Sequence, residues 1–355
     1  MMECRILMEV WIMGLSERFI RINEIIEKTD AGETLSMEEI SLLYSLPANS
    51  PEAFLLRCAG NRYAMELAEG KAEIHAQIGV DAGPCTKSCQ FCSFAKCNNP
   101  EGPLKLTPMG AVLDYAKAFQ DAGANLLLLM SSAAFPFERL GEIGQRVREV
   151  IGPDMPMLIN TRDLSLEEAV FLRRAGYNGA YHAVRMSEGE LTDIPLSTRI
   201  ETLENLSRAG LPLSFCVEPV GEEHTAKDFA ERLELHLRFR PLTGGVGRRI
   251  PVPGTQVERC RKFDQAEQAR LIALYRLLDR RTALAGSANA TLAANSGANL
   301  CWAECGYNPR DFSGHTELDG VGRSVEYIAR IYAETGWELR KGYSPGWNMD
   351  GQSGC

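Results

Sequence analysis

This sequence predicts an α/β chain folded as a (β/α)8 TIM-type barrel with an N-terminal helical extension. Three observations carry that expectation. Between residues 73 and 304, short apolar runs alternate with amphipathic stretches, and eight strand candidates can be counted. Strands such as "ANLLLLMSS" (residues 124–132) are nearly continuous in apolar character, as expected where helices cover a parallel sheet. The first 70 residues show helical periodicity and no strand pattern of their own. An open doubly wound sheet is the alternative arrangement of the same alternation.

The helical lead-in, residues 1–70, contains three amphipathic segments. "SERFIRINEIIEK" (16–28) and "SMEEISLLYSL" (36–46) place apolar residues at i, i+3 and i+4, and Ser36 with Glu39 forms a capping-box pattern. "SPEAFLLRCAGNRYAMELAEG" (50–70) opens on Ser-Pro and closes on Gly70. The barrel is expected over residues 71–320. Its strands are "EIHAQIGV" (73–80), "ANLLLLMSS" (124–132), "MPMLINT" (155–161) and "GAYHAVRM" (179–186), then "LPLSFCVEPV" (211–220), a strand in "GGVGRRIPVPGT" (244–255), "TALAG" (282–286) and "ANLCWAE" (298–304). Helical patterns separate them, and "AANSGAN" (293–299) needs only a helix terminus and turn. Residues 321–355 are expected to supply a last helix, "VEYIARIYAETG", and a loose Gly-rich tail, "GYSPGWNMDGQSGC".

With 355 residues and 45% hydrophobic content, the chain can bury one large core or two modest ones. Its formal net charge of −9 excludes a broad nucleic-acid or acidic-membrane surface, which needs concentrated Lys and Arg. The pairs Arg248–Arg249 and Arg280–Arg281 read as solvated helix or loop faces. No run approaches the ~20 apolar residues of a membrane span. The opening "MMECRILMEVWIMGL" is broken by Glu3, Arg5 and Glu9 and lacks the features of a signal peptide. A cytoplasmic location is expected. There, eleven cysteines, an odd number, point to metal or redox chemistry rather than a disulfide framework.

Four of those cysteines crowd into "GPCTKSCQFCSFAKCNN" (83–99): Cys85, Cys89, Cys92 and Cys97. The loop follows the first strand, so in a barrel it lies on the catalytic face. The spacing Cys85-x3-Cys89-x2-Cys92 gives three thiolates in one tight loop. Three thiolates leave one iron of a 4Fe–4S cube open to a small molecule. A structural zinc site with Cys97 as fourth ligand is the competing reading, although a closed site has little reason to occupy the mouth of a barrel strand.

This motif, with Phe91 before its last cysteine, is similar to that of the radical SAM superfamily. A narrower resemblance, over roughly residues 35–336, is to the branch holding biotin synthase, methylornithine synthase and a hydrogenase maturase of similar build. It is carried by "YHAVRMSEGEL", "STRIETLENLSRAGL", "VEPVGEEHT", "IPVPGT" and "SGANLCWAE". The resemblance implies a 4Fe–4S cluster on Cys85, Cys89 and Cys92, with S-adenosylmethionine (SAM) chelated to the open iron. Reductive cleavage would give a 5′-deoxyadenosyl radical that abstracts hydrogen from a small-molecule substrate in cofactor or amino-acid biosynthesis. An electron donor of low potential, of ferredoxin or flavodoxin type, is implied with it.

Residue by residue, the resemblance puts Phe91 beside the adenine and Arg199 toward the SAM carboxylate. Arg185 and Glu188 fall near its polar groups, with Arg-x-x-Glu here where Arg-x-Glu is usual, and a solvated ion pair is their alternative. Ser131 and Ser132 stand where many members have a glycine-rich amino-group loop. Asn160, Thr161, His182 and Glu218 are expected at strand C-termini, lining a substrate cavity. A hydrogen-bonded core histidine is the equal alternative for His182. The fourth strand lacks the Asn-rich motif of biotin synthase.

Sulfur-inserting members of the branch carry an auxiliary iron–sulfur cluster. Cys216, Cys260, Cys301 and Cys305 are the residues available for a second cluster here. Residues 301, 303 and 305 share one face of a strand, so Cys301 and Cys305 are expected to face the cavity together. Three functions follow: a radical SAM enzyme acting on a small molecule, a sulfur-inserting enzyme with a second cluster, and a non-catalytic iron–sulfur or zinc-stabilised binding protein.

Overall fold

A computed structural model describes residues 17–99, 101, 103–287, 290–310 and 323–347. Helices α1 (Glu17–Asp30), α2 (Met37–Tyr44) and α3 (Pro51–Leu67) form the lead-in. The expected capping box is present at α2, where Ser36 and Glu39 satisfy each other's backbone N–H. Ser50 caps α3 ahead of Pro51. Gly60, in the middle of α3, is costly for a helix. It is there because a Cβ would stand 2.6 Å from Ala273 Cα, on a later helix that packs across α3.

The chain then runs through β1 (Lys71–Gly79), β2 (Asp81–Ala82), β3 (Lys105–Leu106), α4 (Met109–Asp121), β4 (Leu126–Met130), α5 (Phe137–Ile151) and β5 (Met157–Asn160). It continues through α6 (Leu166–Arg174), β6 (Gly179–Tyr181), α7 (Leu196–Arg208), β7 (Leu213–Ser214), β8 (Val217–Val220), α8 (Ala226–Phe239) and β9 (Thr243–Arg248). The last elements are α9 (Gln265–Leu278), β10 (Leu284–Gly286), α10 (Ala290–Ala294), β11 (Leu300–Gly306), α11 (Val325–Glu334) and β12 (Glu338–Leu339).

Parallel pairing runs β1–β4–β5–β6–β7–β9–β10–β11 and returns from β11 to β1, closing an eight-strand ring. The closure excludes an open doubly wound sheet. Apolar residues facing outward from the strands meet the helices in a continuous core that includes Ile74, Leu127, Leu129, Val147 and Leu172. Among the described residues no helix is long and apolar enough to cross a membrane.

Two strands depart from expectation. The fourth was expected to reach residue 186 but ends at Tyr181. The fifth was expected to be continuous over 211–220 but is split into β7 and β8. The register slips between Val217 and Val220, and Pro219 has no N–H to give to a ladder. These irregular ends bring Arg185 and Glu218 to the cavity at the mouth of the barrel.

The tail, expected to be loose from residue 342, is packed as far as Trp347. β12 extends β1 at Lys71 and Ala72, and Asn125 ties the following turn through the carbonyls of Arg340 and Gly342. The Trp347 ring is fully buried and lies where a Cβ on Gly179 would be 2.7 Å away. The tail therefore seals the N-terminal end of the barrel. The opening stretch, the 320/321 boundary and the tail beyond Trp347 lie outside the described residues. Replacing Trp347 with Ala is expected to cost about 3–5 kcal/mol, read as a lower urea midpoint at unchanged slope. An unchanged midpoint would show that the seal contributes nothing.

Candidate active site

Side-chain alternation aims Gln77, Leu128, Met130, Asn160, Tyr181, Trp302 and Glu304 at a cavity of ≈ 400 Å³ at the C-terminal end of the strands. The Trp302 ring stands edge-on to Tyr181 at 6.2 Å and to His75 at 5.1 Å, which sets the inward parity of β11.

The cysteine loop closes one side of this cavity, with Cys89, Phe91 and Cys92 in its wall. Its shape is held by backbone. Cys85 N–H donates to Phe94 O at 2.6 Å, and Asn98 Nδ2 donates to the carbonyls of Cys89, Gln90 and Cys92. Gly83 is required at the loop entrance, because a Cβ would lie 2.6 Å from Phe94 O. Two neighbours clamp the loop from outside. Ser88 N–H binds Asp193 and Gln90 N–H binds Leu191 O, while Ser93 donates twice to Pro309 O just beyond β11.

Burial pushes the Cys89 and Cys92 thiols up, Cys92 to about 12, and neighbouring cysteines add to the rise while Arg185 opposes it. Metal binding must therefore release protons here. Cys97 stands apart, its thiol beside Ser88 and Asp193. Among the described residues no three His, Cys, Asp or Glu side chains form a ready-made metal cage. The fit to an iron–sulfur cluster rests instead on the donors, three soft thiols on one braced loop beside a cavity.

Beside the loop lies a layer of paired charges. Arg199, 11% exposed, places Nη1 3.2 Å from Asp163 Oδ1 and Nε 3.3 Å from Glu188 Oε2. Glu188 also accepts from Arg185 N–H at 2.8 Å and from the Thr192 hydroxyl at 2.6 Å. His182 reaches Asp163 at 3.3 Å. Burial would raise the Asp163 carboxyl, but the His182 hydrogen bond and the Arg199 charge outweigh it and hold the group at about 2. Arg185 pairs with Glu218, which also accepts the Tyr181 hydroxyl. A Cβ on Gly247 would collide with Glu218, so glycine there leaves space for this carboxylate.

Several expected residues are thus brought together. Phe91, Asn160, Arg185, Arg199 and Glu218 line the cavity, and Glu188 lies directly behind Arg199. Ser131 spends its hydroxyl on Thr161 at 2.8 Å, and Ser132 binds the buried Asp81. His182 takes the core position, 3% exposed and packed behind Arg199.

Three expectations are corrected. Cys301 and Cys305 do share a side of β11, but it faces outward. Trp302 and Glu304 hold the inward positions, and Cys301 sits in the core cluster with Ile328 and Tyr332 of α11, touching the cavity only at its edge beside Ser287. Cys216 lines the cavity from the break between β7 and β8, and Cys260 lies in the loop after β9, so the four later cysteines do not converge on one inward face. Arg248 and Arg249 are not solvated, being 7% and 1% exposed. Asp163, Tyr181 and Lys262 escaped the sequence reading. Position after a strand could have flagged Asp163, and strand alternation Tyr181.

A (β/α)8 barrel with a Cys-x3-Cys-x2-Cys loop after its first strand is the architecture of a radical SAM enzyme. No family model matches the chain. Biotin synthase of Desulforudis audaxviator is 28% identical over 282 residues, covering 75% of this chain and 82% of that one. Biotin synthase of Agrobacterium fabrum is 26% identical over 277 residues, covering 75% and 80%. The solved structure of methylornithine synthase matches with a TM-score of 0.74 at 19% identity, covering 89% of this chain and 97% of that one. The FeFe-hydrogenase maturase HydG from Carboxydothermus hydrogenoformans gives 0.70 at 17% identity, covering 90% and 79%. The likeness to biotin synthases supports an enzyme of the radical SAM class, similar to the biotin synthase branch, and the cofactors of that class are a 4Fe–4S cluster and SAM.

Lowering the Asp163 carboxyl from 3.8 to about 2 corresponds to about 2 kcal/mol of folding stability. A depressed carboxylate stabilises at pH above its unfolded value, and the contribution fades as pH falls through its folded value. Asp163→Asn is therefore expected to lose about 2 kcal/mol at pH ~7, with the deficit shrinking between pH ~4 and ~2. Urea titrations across that range check it; a deficit independent of pH would contradict the assignment.

Proposed function

We propose that this radical SAM enzyme removes a hydrogen atom from a small-molecule substrate held in the barrel cavity. One observation carries the reading: the Cys85–Cys89–Cys92 loop opens onto the same cavity as Arg185, Arg199 and Glu218. Cys85, Cys89 and Cys92 would hold the cluster, leaving one iron for SAM. When bound, cluster and SAM supply a one-electron source and a carbon radical able to take a hydrogen atom.

The chain's own residues place and shield that chemistry. Asp163 and Glu188 fix the Arg199 guanidinium at the cavity wall, where it can meet the SAM carboxylate in a charge-assisted hydrogen bond. Phe91 offers an aromatic face for the adenine. Arg185 and Tyr181 converge on Glu218 and keep that carboxylate in one position against the substrate. Leu128, Met130 and Trp302 supply apolar wall, which keeps water from the reacting centre. The electron comes from an external low-potential donor of ferredoxin or flavodoxin type. A reducing cytoplasm would keep the loop thiols free. The sulfur-inserting alternative is less favoured, since Cys301 and Cys305 lie on the side of β11 opposite to Trp302 and Glu304.

Anaerobically prepared protein is expected to hold an oxygen-sensitive cluster and to form 5′-deoxyadenosine from SAM on dithionite reduction. Ala at Cys85, Cys89 or Cys92 is expected to abolish this; full cleavage in all three variants would refute the assignment. Arg199→Ala is expected to weaken SAM binding by about 1.5–3 kcal/mol, measured by equilibrium binding to the holo protein. Unchanged affinity would remove Arg199 from the SAM site.

A further inference from the structure

The paired arginines Arg248 and Arg249 are both buried, yet they are treated differently. Arg249 is fully engaged. Its Nε and Nη2 bind the two Glu223 oxygens at 2.9 and 3.2 Å, and the carbonyls of Val257 and Arg261 accept its remaining bonds. Arg248 has no such arrangement. Its Nη1 donates to Phe263 O at 2.6 Å, while its Nε is buried without a hydrogen-bond partner. It forms no salt bridge among the described residues, although it is 7% exposed and lines the cavity.

Lys262 lines the same cavity, also without a salt bridge or side-chain hydrogen bond among the described residues. Lys262 is exposed at the cavity rim, where partial desolvation and the charges of Arg248 and Arg323 push its ammonium down, so these cations lie close enough to repel. Carboxylates neutralise the other charged walls: Glu218 faces Arg185, Asp163 and Glu188 face Arg199, and Glu304 faces Arg310. A buried cation without a counter-ion is costly to keep. Arg248 is such a cation, and the exposed Lys262 adds a second positive charge to the same cavity wall, so together they suit a ligand that brings the missing negative charge. Arg248 ends β9, three strand positions round the ring from β1, so the pair is spaced away from the cysteine loop.

We infer that Arg248 and Lys262 form an oxyanion subsite of the cavity, and that the substrate carries a carboxylate or phosphate group there. This rests on the proposed function in assigning the cavity to substrate and extends it to a substrate class. The two side chains bind the anionic end of the molecule. Its reactive carbon then extends back toward Glu218 and the cysteine loop. An Arg nitrogen lacking an acceptor and a flexible ammonium together suit a tetrahedral or planar oxyanion, so phosphate and carboxylate must be separated by experiment.

The test uses holo enzyme with saturating SAM and no reductant, so that the SAM carboxylate occupies its own site. Inorganic phosphate and propionate are titrated separately by calorimetry. Saturable binding of one or both is expected, with the tighter probe identifying the group. Lys262→Gln and Arg248→Gln are each expected to weaken that binding about tenfold or more, and Lys262→Arg to restore most of it. Arg248→Gln also removes the bond to Phe263 O, so Lys262→Gln carries the test alone if the former does not fold. No saturable binding by either probe, or an affinity unchanged in Lys262→Gln, would overturn the subsite. Formation of 5′-deoxyadenosine is measured on the same wild-type preparation after reduction. Its absence alongside anion binding would defeat the proposed reaction and leave the subsite standing, and the converse result would do the opposite.

Discussion

The pairing of β1 with β11 is the contact on which the barrel and its site depend. Seven residue pairs, from Glu73 with Leu300 to Gly79 with Gly306, join strands that begin more than two hundred residues apart. Closure removes both sheet edges, so every strand acquires two partners. It also fixes the inward parity. Because His75 lies beside Trp302 and Gln77 beside Glu304, those four share the interior and the residues between them turn to the helices. At the upper end the strands crowd so closely that a Cβ on Gly79 would lie 1.7 Å from Tyr307 O. The cysteine loop leaves β1 just beyond this point and is braced by Pro309 just beyond β11. A loop that must hold three ligands in a fixed relation is thereby mounted on the most constrained join in the ring.

Charge is arranged in the cavity with similar economy. A carboxylate and a guanidinium taken out of water recover their desolvation cost only with good geometry and further hydrogen bonds. Asp163, Glu188 and Glu218 each have more than one donor. Removing one member of such a multiply bonded set leaves a buried charge without its partner, and the intact sets hold side chains in single orientations at the mouth of an open barrel, where backbone regularity has ended.

Much of this was legible in the sequence because it is local. The alternation of apolar runs yields all eight barrel positions, the Ser36–Glu39 pattern yields the cap of α2, and the cysteine spacing yields the loop. The remainder depends on contacts remote along the chain. Strand periodicity shows that Cys301 and Cys305 share a face, but their direction is decided by the register with β1. Arg248 and Arg249 look like a surface pair until Glu223 and the cavity are brought against them. Arg199 meets Asp163 across 36 positions of sequence, and neither residue announces the other. Trp347 stands alone in a Gly-rich tail, and its burial depends on the space left by Gly179.

The join between β1 and β11 also governs when the protein can take shape as it is made. A nascent chain carries β1 out of the ribosome early, and β4 can cover one of its edges soon afterwards. The other edge must wait until residues 300–306 have emerged, and the Trp347 seal waits longer. Until then a nearly complete set of apolar strands has no closed wall, a state exposed to misassociation. The lead-in helices come first, but α3 rests on α9 and cannot dock until that helix exists. Assembly of the ring is therefore late relative to β1, and the cysteine loop gains its brace only after Pro309 has emerged.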